Sequence, residues 1–93
     1  CLTMWLTNHL MAGNDPGTEV ERLVRCLDSV TAPVVLVTNE VGAGGVSGNQ
    51  LARRFAQEQG RLNQRIAKRA DLVVAVMSGL PLALKGTIPG GLV

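Results

Sequence analysis

Between residues 2 and 12 the apolar side chains fall on nearly every face of a helical wheel: Leu2, Met4, Trp5, Leu6, Leu10 and Met11. Such a helix is buried on most sides, and Gly13 is a residue suited to end it. Asn14-Asp15-Pro16-Gly17 reads as a loop on turn chemistry. The pattern then narrows to a single stripe of Val20, Leu23, Val24, Leu27 and Thr31, which predicts a second, amphipathic helix. Thr18 and Glu21 stand three apart at its start and predict a capping box. Pro33 ends the segment and favours an extended chain at Ala32.

Val34-Val35-Leu36-Val37-Thr38 is short, β-branched and apolar on both faces, the pattern of a strand covered on both sides by helices. A glycine-rich loop follows it directly. Ser47 and Gln50 predict a second capping box, opening a long helix over 48–70 whose apolar positions are Leu51, Phe55, Leu62 and Ile66. Leu72 to Met77 predicts another buried strand. Gly79-Leu80-Pro81 reads as a turn, and 82–84 as a short edge strand. Strand, long helix, strand is a βαβ unit with a right-handed crossover. The fold class is therefore α/β with a parallel sheet, one domain over 1–85 and a mobile tail over 86–93.

Composition narrows the choices further. The 93 residues, 46% hydrophobic and 17% charged, suit one compact domain and exclude intrinsic disorder. The longest apolar run is far short of a membrane span, and the opening stretch lacks the basic start of a secretory signal. Cys1 and Cys26 form neither a disulfide framework nor a metal spacing, which points to a cytoplasmic protein. The chain opens at Cys1 directly in a helical pattern, which reads as a piece of a longer chain. Six of the nine basic residues lie on the long helix: Arg53, Arg54, Arg61, Arg65, Lys68 and Arg69. Most of that stripe reads as a solvated face with Glu58 as partner. Trp5 and Phe55 are the sole aromatics, too few for a nucleic-acid surface.

In open parallel sheets ligands sit beyond the carboxyl ends of the strands, which selects the loop from Thr38 to Ser47. Glu40 is the candidate for positioning a metal or a phosphate, since a carboxylate there can hold Mg²⁺ beside phosphates. The plainer alternative is that Glu40 caps a turn and the glycines accommodate it. Thr38, Asn39 and Gly42 are candidate nucleotide contacts, and Arg53 and Arg54 are close enough in sequence to reach a phosphate. Gly42 to Ser47 fails as a dinucleotide fingerprint, because Ser47 takes the third glycine's place and no acid ends the next strand. Lys85-Gly86-Thr87 has the letters of a Walker A loop in the wrong order. His9 sits on an apolar helix with no carboxylate in step, and zinc lacks ligands. Asn63 and Gln64 either bond to a neighbouring loop or face water.

Four segments in order carry a resemblance: Cys1-Leu2-Thr3-Met4-Trp5-Leu6-Thr7-Asn8, Val35-Leu36-Val37-Thr38-Asn39-Glu40-Val41-Gly42, Gly60-Arg61-Leu62-Asn63-Gln64-Arg65 and Ser78-Gly79-Leu80-Pro81-Leu82-Ala83-Leu84-Lys85. Over all but its tail, the chain resembles the carboxyl-terminal half of the bifunctional adenosylcobinamide kinase / adenosylcobinamide-phosphate guanylyltransferase family of cobalamin biosynthesis. The resemblance implies a RecA-like P-loop nucleotide-binding fold whose P-loop and histidine nucleophile lie in an amino-terminal half not present here. It implies enzymes, typically trimers, that phosphorylate adenosylcobinamide with ATP or GTP and Mg²⁺, then transfer GMP from GTP to give adenosylcobinamide-GDP. It also implies that the corner of Asn39, Glu40 and Gly42 faces the phosphates. Ser47 and Gly48 depart from the proline and the bulkier or acidic residues common there in the family. This half is expected to be inactive alone. The competing reading is a non-enzymatic α/β module that binds a small anion or a partner chain through the glycine loop and the basic helix.

Overall fold

The structure, a computed structural model, describes residues 1–40 and 49–90. Among them are three helices and a two-stranded sheet: α1 (Leu2–Met11), α2 (Pro16–Ser29), α3 (Gln50–Arg69), β1 (Val73–Met77) and β2 (Leu80–Lys85). The class is α/β, as the sequence predicts. No helix among the described residues is long and apolar enough to cross a membrane.

Local chemistry sets the helix ends. Gly13 takes φ +77°. Its N–H donates to the Leu10 carbonyl at 3.1 Å, and that of Asn14 to the His9 carbonyl at 3.0 Å. These two bonds close a Schellman motif on α1. α2 begins three residues earlier than the predicted capping box. Asp15 is its N-cap, Pro16 occupies the first turn, and Thr18 donates to Asp15 Oδ2 from its backbone N–H at 2.9 Å and from its hydroxyl at 2.8 Å. Pro16 lacks an N–H that the first turn would leave orphaned anyway, so Asp-Pro is the stronger start. α3, by contrast, starts later than predicted. Its N-cap is Asn49, whose side chain accepts from the backbone of Leu51 and Ala52; Ser47, the expected cap, lies outside the described residues.

The core is where the three helices meet. Leu2, Leu6, Val20 and Leu62 are buried there, with Trp5, Leu10, Leu23, Phe55 and Ile66 packed around them. Leu51, expected on the apolar stripe of α3, stays 61% exposed at its start.

The sheet departs from expectation. β1 and β2 pair antiparallel, in a register running from Met77↔Leu80 to Val73↔Lys85, with an irregularity between Val73 and Val74. Their turn is Ser78-Gly79, both at positive φ, 53° and 76°, the backbone a two-residue type I′ hairpin demands. Leu80 and Pro81, predicted as turn, therefore belong to β2. Lys85 closes the hairpin onto α3: its Nζ donates to the carbonyls of Ala67 at 3.1 Å and Lys68 at 2.9 Å, the unsatisfied end of that helix. Residues 34–38, predicted as a strand, run without a ladder partner among the described residues. No parallel pair forms there. Val35 and Val37, on one face, are 88% and 62% exposed, and Val34 and Leu36, on the other, 49% and 37%, so neither face of this apolar segment is fully covered among the described residues.

The basic stripe of α3 is less solvated than the sequence suggests. Arg65 Nε meets Glu21 Oε2 at 2.8 Å, Arg69 pairs with Asp28, and Arg61 pairs with Glu58 at 2.8 Å. Two of these pairs stitch α2 to α3. The hydrogen bond from Arg65 holds the Glu21 carboxyl below its ordinary value of 4.5, and the Thr18 donors hold Asp15 below 3.8. Both carboxylates stabilise the fold fully above those ordinary values. That contribution disappears as pH falls through their lower folded-state values. The stabilisation supplied by Glu21 is expected to fade as pH falls below 4.5, and Glu21→Gln to flatten that part of the pH–stability curve. Added salt at neutral pH is expected to reduce the difference between wild type and Glu21→Gln, because the pair is exposed.

Candidate functional site

The segment from Val34 reaches Thr38, Asn39 and Glu40, the corner expected from the sequence, and is held there from two sides. On one side α1 meets it: the N–H of Leu2 donates to the Val37 carbonyl at 2.8 Å, and Asn39 Nδ2 lies 3.4 Å from Thr3 Oγ1. On the other side α3 presents two amides. Thr38 Oγ1 donates to Asn63 Oδ1 at 2.6 Å and accepts from Gln59 Nε2 at 2.9 Å. Gln59 Nε2 also donates to Asn63 Oδ1 at 3.0 Å, and Asn63 Nδ2 donates to the Asn39 carbonyl at 3.0 Å. Asn63 thus bonds the neighbouring corner, which decides one of the two alternatives the sequence left open.

Gln59 is the residue that sequence reasoning missed. It is wholly buried, and its Oε1 finds no hydrogen-bond donor among the described residues. A signal was present. Positions 55, 59, 62 and 66 continue one helical stripe, and Gln59 is the polar residue in the gap between Phe55 and Leu62. An amide where packing calls for Leu marks a partner across the interface.

Glu40 is exposed and makes no ion pair among the described residues. It ends the described segment, and Gly42, the candidate beyond it, lies outside the described residues. Arg53 and Arg54 are exposed on the first turns of α3, where with Gln50, Leu51 and Gln57 they line an open hollow of about 620 Å³. Among the described residues no hydrogen bond or ion pair links them to the corner. Arg54 does act on α2, where its charge adds to the Thr18 donors in holding the Asp15 carboxyl down. Thr38, Asn39 and Glu40 are neighbours by sequence, and among the described residues no contact joins them to the two arginines.

His9 is accounted for structurally. Its ring packs edge-on against Trp5 at 4.6 Å between centroids, and Nδ1 lies 2.9 Å from Asn14 Nδ2. The described residues hold no group of three or more His, Cys, Asp or Glu able to cage a metal. An oxygen site for Mg²⁺ needs less than a cage. One carboxylate with nucleotide phosphates and water suffices, and the exposed, unpaired Glu40 fits that donor set.

Residues 1–84 match the family described as cobinamide kinase / cobinamide phosphate guanyltransferase. The chain belongs to this family. It is 42% identical over 88 residues to the bifunctional adenosylcobalamin biosynthesis protein CobP of Pseudomonas aeruginosa, covering 92% of this chain and 51% of that protein. Against the bifunctional adenosylcobalamin biosynthesis protein CobU of Salmonella typhimurium it is 41% identical, covering 91% of this chain and 55% of the relative. The Escherichia coli protein of the same name is 36% identical over the same shares. The chain thus spans about half the length of these curated relatives. The family match includes α1, the corner, the paired amides of α3 and nearly all of the hairpin.

Proposed function

We propose that this chain is the carboxyl-terminal half of a bifunctional transferase of cobalamin biosynthesis. It phosphorylates the hydroxyl of adenosylcobinamide with ATP or GTP, then transfers GMP from GTP to give adenosylcobinamide-GDP. The observation that carries the reading is the family match over residues 1–84, supported by a corner whose Glu40 is exposed and unpaired among the described residues while the backbone around it is held on two sides. In this reading residues 34–38 form a strand of a parallel, RecA-like P-loop sheet completed by the other half of the protein. Their bare apolar faces support that placement, because an uncovered run of this kind is unstable in water. The complete enzyme is a cytoplasmic homo-oligomer, a trimer.

Phosphoryl and nucleotidyl transfer ask a protein chiefly for positioning and for charge placed where it develops. Glu40 would hold the cation, Asn39 would meet the phosphates beside it, and Arg53 and Arg54 would hold phosphate oxygens from the start of α3; Gly42, the remaining candidate contact, lies outside the described residues. Thr38 belongs to the same corner, with its hydroxyl committed to α3. Bound Mg²⁺ supplies charge neutralisation across the phosphates.

The decisive experiment gives the complete gene product adenosylcobinamide with ATP or GTP and follows product masses. Adenosylcobinamide phosphate, then adenosylcobinamide-GDP, is the expected sequence, and neither product forming with a folded protein overturns the reading. In that assay, replacing both Arg53 and Arg54 with Ala is expected to raise the nucleotide KM about 10-fold, as the loss of a charge-assisted phosphate contact requires. An unchanged KM removes the two arginines from the site.

A further inference from the structure

The buried amide of α3 is costly where it stands. Gln59 occupies a core position of the stripe, is completely enclosed, and leaves its carbonyl oxygen without a donor among the described residues. A buried acceptor without a partner destabilises a fold, and a leucine or methionine there would pack without that loss. What the amide gives in return is its Nε2, which donates to Thr38 Oγ1 at 2.9 Å and Asn63 Oδ1 at 3.0 Å. Reversing the amide would set its oxygen against Asn63 Oδ1, whose place as an acceptor is fixed by the Asn63 Nδ2 bond to the Asn39 carbonyl, so the Asn63 contact fixes which way Gln59 points. Asn63 is committed in the same way, accepting through Oδ1 and donating through Nδ2 to the Asn39 carbonyl at 3.0 Å.

We propose that Gln59, Asn63 and the Thr38 hydroxyl form a positioning unit that sets the direction in which Asn39 and Glu40 leave the corner, with Gln59 kept for that task at the expense of packing. This rests on the function proposed above, since the unit acts through the corner on the reaction assigned to it. None of the three is a catalytic residue. Thr38 has spent its proton and one lone pair on α3. Gln59 is sealed from any ligand. Asn63 is bound to backbone. Their effect reaches substrate through the Thr38-Asn39-Glu40 backbone alone, and α3, a single 20-residue helix, carries both the brace and the two arginines of its first turns. A corner released from the brace keeps its residues and loses their aim, and displacement of a reacting group by about 1 Å is enough to cost about 100-fold in rate.

The test uses the complete gene product and compares Gln59→Met, Thr38→Val and Thr38→Ser, with turnover normalised to folded sites. Gln59→Met keeps the length and fills the core position without the orphaned oxygen. It is expected to leave the melting temperature at or above that of the wild type, while kcat falls about 10- to 100-fold and the nucleotide KM stays within about 3-fold. Thr38→Val is expected to reproduce that split and Thr38→Ser to restore kcat. The double variant Gln59→Met/Thr38→Val is expected to lose no more than the worse single, as residues acting as a unit do. Full kcat in Gln59→Met overturns the proposal, as does a rise in KM alone in Thr38→Val, which would make Thr38 a nucleotide ligand. Additive losses in the double variant overturn it also. A wild-type product that makes neither adenosylcobinamide phosphate nor adenosylcobinamide-GDP defeats the assigned reaction instead, and is told apart because it fails before any substitution is made.

Discussion

Glu40→Gln in the complete gene product is expected to lower kcat for transfer by about 100- to 1,000-fold, the usual cost of removing one group that acts on transition-state charge. The substitution keeps the size of the side chain and removes its charge. Stability should not change, because Glu40 is exposed and makes no ion pair among the described residues. The local backbone does not depend on it either: the Asn39 carbonyl is held by Asn63 and the Val37 carbonyl by Leu2. Loss of rate with an unaltered melting temperature would therefore report on chemistry. If Glu40 works through the cation, raising Mg²⁺ should recover part of the lost rate, and Glu40→Asp should fall between wild type and Gln. An unchanged kcat in Glu40→Gln assigns this carboxylate to the turn alone, the plainer alternative the sequence also allows.

How far the fold was legible depended on how local its causes are. α1 and its stop at Gly13 follow from neighbouring residues, and the structure agrees with them. At the start of α2 two signals compete within seven residues: Thr18 with Glu21, and Asp15 with Pro16. The second wins because Asp15 accepts both Thr18 donors and Pro16 forgoes an N–H that had no partner. Strand pairing is not local. Residues 34–38 carry the pattern of a doubly covered strand, but a ladder needs a neighbour, and none is found among the described residues. The hairpin turn begins one residue earlier than the expected Gly79-Leu80-Pro81 and ends two residues earlier, because Ser78 gives no hint that it will take a positive φ.

The candidate site divides along the same line. Its position after an apolar strand-like run was legible, and so were the polar residues there. Its support was not, since Gln59 lies 21 residues from Thr38 and Asn63 lies 24 from Asn39. Asn63 was legible only as a mid-helix amide with two open readings, and for Gln59 the interruption of an otherwise apolar stripe was the one signal. The pairing of Arg65 and Arg69 with α2 escaped for a related reason: a basic stripe on one helix looks solvated until the acids of the next are set against it.

Gly86→Ala is expected to lower the unfolding free energy by about 2–5 kcal/mol, combining left-handed backbone strain with overpacking. Gly86 sits at φ +75°, and a Cβ added there would lie 2.5 Å from the Asp71 carbonyl oxygen and 3.3 Å from Leu72 Cα. Both are backbone atoms and cannot rotate aside as a flexible side chain would. The residue follows Lys85, whose Nζ closes the end of α3, so the chain cannot swing away without surrendering that cap. Gly79 provides the comparison. It has nearly the same φ, +76°, with nothing within 4 Å of an added Cβ, and Gly79→Ala should cost only the strain, about 1–2 kcal/mol. Urea denaturation of the complete gene product measures both, read as a shift in midpoint at constant slope. Equal losses at the two positions would mean that the Asp71 backbone yields, and that the root of the hairpin is held against α3 by Lys85 alone.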